Sequence, residues 1–209
     1  MAELGIETPH GLARVHLWPP DSQPRAALIL GHGASVGVDA PDIVATAEAA
    51  AGADLAVALV EQPYWVAGRR SPAPARQLDT AWIAVVEELR SRQLAGLPVI
   101  VGGRSIGARV ACRTAAQVGA IALLCLAFPL QPRSRGDKPD PPSRLDELDG
   151  VSVPTLVVQG ERDQFGMPPE GPRRTVAKVP GNHGLKADLG AVSEAVRGWL
   201  AELLVRIPG

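Results

Sequence analysis

Short apolar runs that do not alternate with polar residues restrict the fold of this chain more than any other feature. They lie at 26–30, 55–60, 98–101, 121–127 and 155–158, with a weaker one at 175–179. A strand that is apolar at successive positions must be covered on both faces. Between these runs lie segments of helical period. The segment 42–53 has Pro41 before it and Gly52 near its end. In 76–90, Leu78, Trp82, Val85, Val86 and Leu89 form one apolar stripe. Helices are also expected at 106–118 and at 192–205, the latter with Val192, Val196, Trp199, Leu200 and Leu203 inward. Strand and helix in alternation predict an α/β fold with a mostly parallel central sheet, flanking helices and right-handed crossovers. In such sheets the working groups sit beyond the carboxyl ends of the strands. A further short strand is expected at 12–18, with Val15 and Leu17 on one face and Pro19 and Pro20 stopping it. The Pro-rich stretches at 69–75 and 131–142 read as surface connections, and the longer is too short for a lid or cap domain. No linker divides the 209 residues, so a single domain is expected.

Composition narrows the partners. The net charge is −1 and no basic stripe is present, which argues against nucleic acid. Aromatic residues make up only 3%, so the core must be built from small aliphatic side chains with close backbone approaches, consistent with 22 glycines. The two cysteines, Cys112 and Cys125, are expected to be buried structural thiols. The amino terminus lacks a basic start followed by an apolar run, and no stretch reaches the roughly 18 apolar residues of a membrane helix. The expectation is a soluble, cytoplasmic protein that does not bind membranes.

The chemistry-bearing residues follow the apolar runs. Gly103-Arg104-Ser105-Ile106-Gly107 comes between a strand and a helix. This is G-x-S-x-G in the context where it forms a nucleophile elbow, with the helix start supplying backbone N–H groups. Gln159-Gly160-Glu161-Arg162-Asp163 ends a later strand. Glu161 and Asp163 compete as the acid that orients an imidazole. Asp163 is preferred, because a turn through Gly160 carries the later residue over the sheet. His183, in Pro180-Gly181-Asn182-His183-Gly184, completes the order Ser, Asp, His as the candidate base. Gly31-His32-Gly33-Ala34 follows the strand at 26–30. The N–H groups of Ala34 and Ile106 are the candidate oxyanion donors, with His32 shaping the loop. A dinucleotide loop is the alternative, with Glu61 as the ribose-binding acid, but Val36 breaks G-x-G-x-x-G. Tyr64 and Trp65 are candidate substrate contacts, core packing being the other reading. Arg69 and Arg70 could attract an anion or simply be solvated. His10, His16, His32 and His183 show no metal-ligand spacing, so neither metal nor cofactor is expected.

With these residues in place the chain resembles the α/β-hydrolase superfamily, in particular its small lidless branch of dienelactone-hydrolase-like and testis-expressed-protein-like members. The resemblance runs from about residue 26 to the last helix. It is carried by Gly31 to Ala34, Gly102 to Gly107, Ala127-Phe128-Pro129-Leu130, Val158 to Gly166 and Asn182-His183. It implies Ser105 as nucleophile, Asp163 as acid, His183 as base, and Ala34 and Ile106 at the oxyanion positions. Dienelactone hydrolases use cysteine where this chain has Ser105, so the implied activity is serine hydrolysis of a small acyl substrate such as a carboxylic ester. An acyltransferase would use the same triad. A binding or scaffold protein on the same fold is the alternative from another class.

Overall fold

The computed structural model describes residues 2–18, 23–134 and 139–206. Pro19 and Pro20, expected to end the early strand, lie outside the described residues, as does the middle of the 131–142 connection. The strands are β1 (Ala2–Thr8), β2 (Gly11–Trp18), β3 (Ala26–Gly31), β4 (Leu55–Glu61), β5 (Val99–Arg104), β6 (Ala122–Leu126), β7 (Thr155–Gly160) and β8 (Arg174–Val179). The helices are α1 (Pro41–Ala51), α2 (Pro63–Val66), α3 (Ala75–Ser91), α4 (Ile106–Thr114), α5 (Leu145–Asp149) and α6 (Leu189–Leu204). One eight-stranded sheet runs in the order β1-β2-β4-β3-β5-β6-β7-β8. Strands β3 to β8 are parallel, while β2 is antiparallel to both β1 and β4. Among the described residues no inserted cap domain covers the sheet.

The apolar runs are unalternating because the two faces share them residue by residue. In β3, Ala27 and Ile29 enter one core, while Ala26, Leu28 and Leu30 enter the other. The first core is closed by α3 and α4. The buried stripe Leu78, Ala81, Trp82, Val85, Val86 and Leu89 of α3 packs there. The second is closed by α1 and α6, through residues such as Ile43, Ala47, Val192, Val196 and Leu200. Proline at the first turn starts α1, and Asp188 caps α6 by accepting a hydrogen bond from the Ala191 N–H at 2.9 Å.

The elements differ from expectation where local signal is weak. β1 was not foreseen; it is an edge strand with only Ile6 buried. β5 runs three residues past 101, because Gly102 and Gly103 pair with Leu124 and Cys125 of β6 and with Leu30 and Gly31 of β3. Glycines read locally as a turn, yet here they permit packing. The helix expected at 106–118 ends at Thr114 and continues as hydrogen-bonded turns to Gly119, where φ is 62°. The short helices α2 and α5 were also unforeseen, being one turn each and without a readable period.

Candidate active site

Three strand ends bring the chemistry together. β5 turns into α4 through Ser105, whose φ of 53° and ψ of −109° are a strained backbone state for a residue with a Cβ. The turn is held on both sides. The Ser105 N–H donates to the Leu126 carbonyl at 2.9 Å, and the Arg109 N–H donates to the Ser105 carbonyl at 3.2 Å. Gly107 lets α4 start against the exit of β3: a Cβ there would lie 2.6 Å from the Gly31 oxygen and 2.7 Å from the His32 oxygen. That approach sets the Gly31-His32-Gly33-Ala34 turn beside the first turn of α4, whose amides have no intrahelical acceptor.

β7 delivers Asp163. Its last residue, Gly160, has the Asn182 oxygen 2.5 Å from where a Cβ would stand, so the His183 loop closes directly over it. Glu161 points to solvent, whereas Asp163 is buried. The His183 Nδ1–H donates to Asp163 Oδ2 at 2.8 Å, and His183 Nε2 accepts the Ser105 hydroxyl at 3.0 Å. The Phe165 N–H donates to Asp163 Oδ1 at 2.9 Å, and the Phe165 ring stands edge-on to His183 with centroids 4.6 Å apart. Ser105, His183 and Asp163 thus form one hydrogen-bonded chain, oriented for proton movement from hydroxyl to imidazole.

His32 is fixed at both ring nitrogens. Its Nδ1–H donates to the Gly33 carbonyl at 2.7 Å, and its Nε2 accepts from the Gln62 N–H at 3.1 Å. Burial holds the imidazole below its ordinary pKa, only partly opposed by its backbone hydrogen bonds. A neutral ring with both nitrogens engaged shapes the loop and has no lone pair left for catalysis.

Residues 24–183 match the family model of the alpha/beta hydrolase domain. The chain belongs to the α/β-hydrolase family. No curated protein matches it in sequence. Among solved structures this hydrolase-fold chain is similar to Est1E from Butyrivibrio proteoclasticus, with a TM-score of 0.79 at 18% identity over 99% of this chain and 100% of that one. It is also similar to XC6422 from Xanthomonas campestris, a serine hydrolase without a lid, with a TM-score of 0.70 at 20% identity over 95% and 94%. A dienelactone hydrolase from Anabaena variabilis gives a TM-score of 0.75 at 16% identity over 96% of each chain.

Residues beyond the sequence motifs hold this cluster in place. Gln159 is fully buried, and its Nε2 lies within hydrogen-bond distance of Asp163 Oδ2, the Phe128 carbonyl and the Gly166 carbonyl, at 2.9, 3.0 and 2.9 Å. The Phe128 segment thereby acquires a role: its side chain is buried in the core while its carbonyl fixes Gln159. Arg104, next to Ser105, donates from Nε to Asp42 Oδ2 at 2.8 Å and from Nη2 to the His183 carbonyl at 2.9 Å. Burial pushes the Asp42 carboxyl above its ordinary value, with the Arg104 charge opposing the shift. Gln159 left a trace in the sequence, as a polar residue inside an apolar strand. The Arg104–Asp42 pair left none, since its members are 62 residues apart.

Tyr64 and Trp65, the candidate substrate contacts, brace the loop at 31–34. The Tyr64 hydroxyl donates to the Gly33 carbonyl at 3.3 Å and reaches the Ala34 carbonyl at 3.4 Å, and burial pushes its pKa to about 12. Trp65 packs against His32 with ring centroids 5.0 Å apart. Tyr64 also edges a cavity of about 240 Å³ with Leu12, Gln62, Arg69 and Gln77, which none of the three hydrogen-bonded residues lines. Arg69 and Arg70 are exposed. Cys112 and Cys125 are buried free thiols with sulfurs 3.7 Å apart, and burial pushes the Cys125 thiol well up. No helix among the described residues is long and apolar enough to cross a membrane.

Proposed function

We propose that this protein is a serine hydrolase acting on a carboxylic ester or related small acyl compound. The observation that carries the reading is the continuous chain from Ser105 Oγ through His183 to Asp163, at 3.0 and 2.8 Å. In this mechanism Ser105 attacks the acyl carbon and His183 takes its proton. The imidazolium is stabilised by Asp163, then protonates the leaving alkoxide. The N–H groups of Ala34 and Ile106 hold the oxyanion. Water, deprotonated by His183, then releases the acid from the acyl-enzyme. A small acyl group suits a site with no cap domain over it. One structure of Est1E holds ferulic acid, so a neighbour of this fold accepts a small organic acid, which favours the same class here.

Labelling with a fluorophosphonate probe, read by intact mass and peptide mapping, tests the assignment. Wild-type protein should be labelled at Ser105, and Ser105→Ala and His183→Ala should not. In an ester screen Ser105→Ala should lower kcat by on the order of 10⁴-fold or more. A folded wild-type protein that resists the probe would refute the proposal and favour a binding role on the same fold.

A further inference from the structure

We propose that Arg104 is a positioning residue whose single guanidinium holds the His183 loop and the oxyanion loop in mutual register; the proposal rests on the hydrolase reading of the site. Arg104 is only 7% exposed, and Asp42 is fully buried. Taking two charges out of water is costly, so a buried pair that served only stability would be expected to use the two-pronged fork open to arginine and carboxylate. This pair is joined by one hydrogen bond, Nε to Oδ2. Nη2 is spent on the backbone carbonyl of His183. Nη1 lies against Gly33, where a Cβ would stand 2.9 Å from it. The same Gly33 carries the carbonyl that accepts from His32 and from Tyr64. One planar group at the end of β5 therefore touches the base loop, the oxyanion loop and α1.

Asp42 makes such a tether compatible with turnover. An unpaired guanidinium beside the His183 loop would oppose the imidazolium that forms when Ser105 attacks, and the Asp42 carboxylate offsets it. The backbone anchor, together with the Asp163 hydrogen bond to the ring, then leaves His183 little freedom to swing from Ser105. A displacement of about 1 Å at such a distance is worth on the order of 100-fold in rate.

The test uses two full-length variants. The double variant Asp42→Leu with Arg104→Met removes both charges, so no unpaired buried ion opposes folding. Arg104→Lys keeps the charge opposite Asp42 but cannot serve three partners. In whichever variant unfolds cooperatively, two quantities are measured. One is kcat against KM for ester hydrolysis. The other is the downfield proton resonance of His183 Nδ1–H, identified by its loss in His183→Ala. The expected result is a fall in kcat of about 10- to 100-fold with KM within about threefold, and a shifted or exchange-broadened resonance. An unchanged resonance overturns the proposal, whatever happens to kcat. If wild-type protein neither hydrolyses esters nor takes the probe, the hydrolase reading fails by itself, and the resonance still decides whether Arg104 positions His183.

Discussion

Replacing Gln159 by methionine separates the support of Asp163 from the Ser105–His183–Asp163 hydrogen-bonded chain itself. The side chains are similar in volume, so packing is nearly conserved and the loss is polar. Gln159 Nε2 faces three acceptors: Asp163 Oδ2, the Phe128 carbonyl and the Gly166 carbonyl. With methionine the half-buried Gly166 carbonyl loses this donor, while the Phe128 carbonyl keeps the Leu130 N–H at 2.9 Å. Each buried acceptor left without a partner costs about 1–3 kcal/mol. Asp163 retains the His183 Nδ1–H and the Phe165 N–H, so its share falls at the low end. Methionine also removes the Gln159 Oε1, which has no partner among the described residues, so the net loss is about 1–3 kcal/mol of the 5–15 kcal/mol by which such domains are stable. At roughly 2–4 °C per kcal/mol for a chain of this size, the midpoint should fall by about 3–10 °C. Urea titration of wild type and variant gives the free energy directly. The fluorophosphonate labelling rate, measured well below the transition, should drop as Asp163 loosens its hold on the imidazole. A loss under about 1 kcal/mol, or an unchanged labelling rate, would refute the view that Gln159 anchors the acid.

Two further tests follow from the same contacts. Gly107→Ala should destabilise by about 2–4 kcal/mol and slow labelling, because its Cβ would meet backbone oxygens at 2.6 and 2.7 Å and drive α4 from β3; Gly198→Ala, in α6 with nothing within 4 Å, should stabilise by about 0.5–1 kcal/mol, and equal urea midpoints for the two would contradict the packing account. Because burial lowers the His32 pKa, the unfolded chain takes up the proton first on acidification, so the stability tied to neutral His32 is present above the ordinary histidine range and lost as pH falls through the lowered folded value. That window should show a stability slope of up to about 1.4 kcal/mol per pH unit from this group, and His32→Gln should flatten it; identical slopes would remove His32 from the account.

The sequence by itself determined the order and type of the main elements, since unalternating apolar runs require cover on two faces and amphipathic segments provide it. It also determined Ser105, Asp163 and His183 as candidates, because each follows a strand whose end must lie on one edge of a parallel sheet. Asp163 is preferred to Glu161 in the sequence because the chain turns at Gly160; in the structure Glu161 is exposed and Asp163 lies against His183. Only the tertiary structure decided the support. Gln159, within reach of Asp163, meets the Phe128 carbonyl 31 residues away, Tyr64 and Trp65 brace a loop about 30 residues earlier, and Arg104 joins α1 to the His183 loop. Such partners are set by how separate strands and helices stack, and a linear pattern carries periodicity and turn chemistry but not which distant carbonyl a buried donor will meet. The glycines at 102 and 103 make the point in reverse: locally they break a strand, and only the close approach of the Leu124 oxygen to Gly102 and of the Gly31 oxygen and Gly107 backbone to Gly103 explains why the strand needs them.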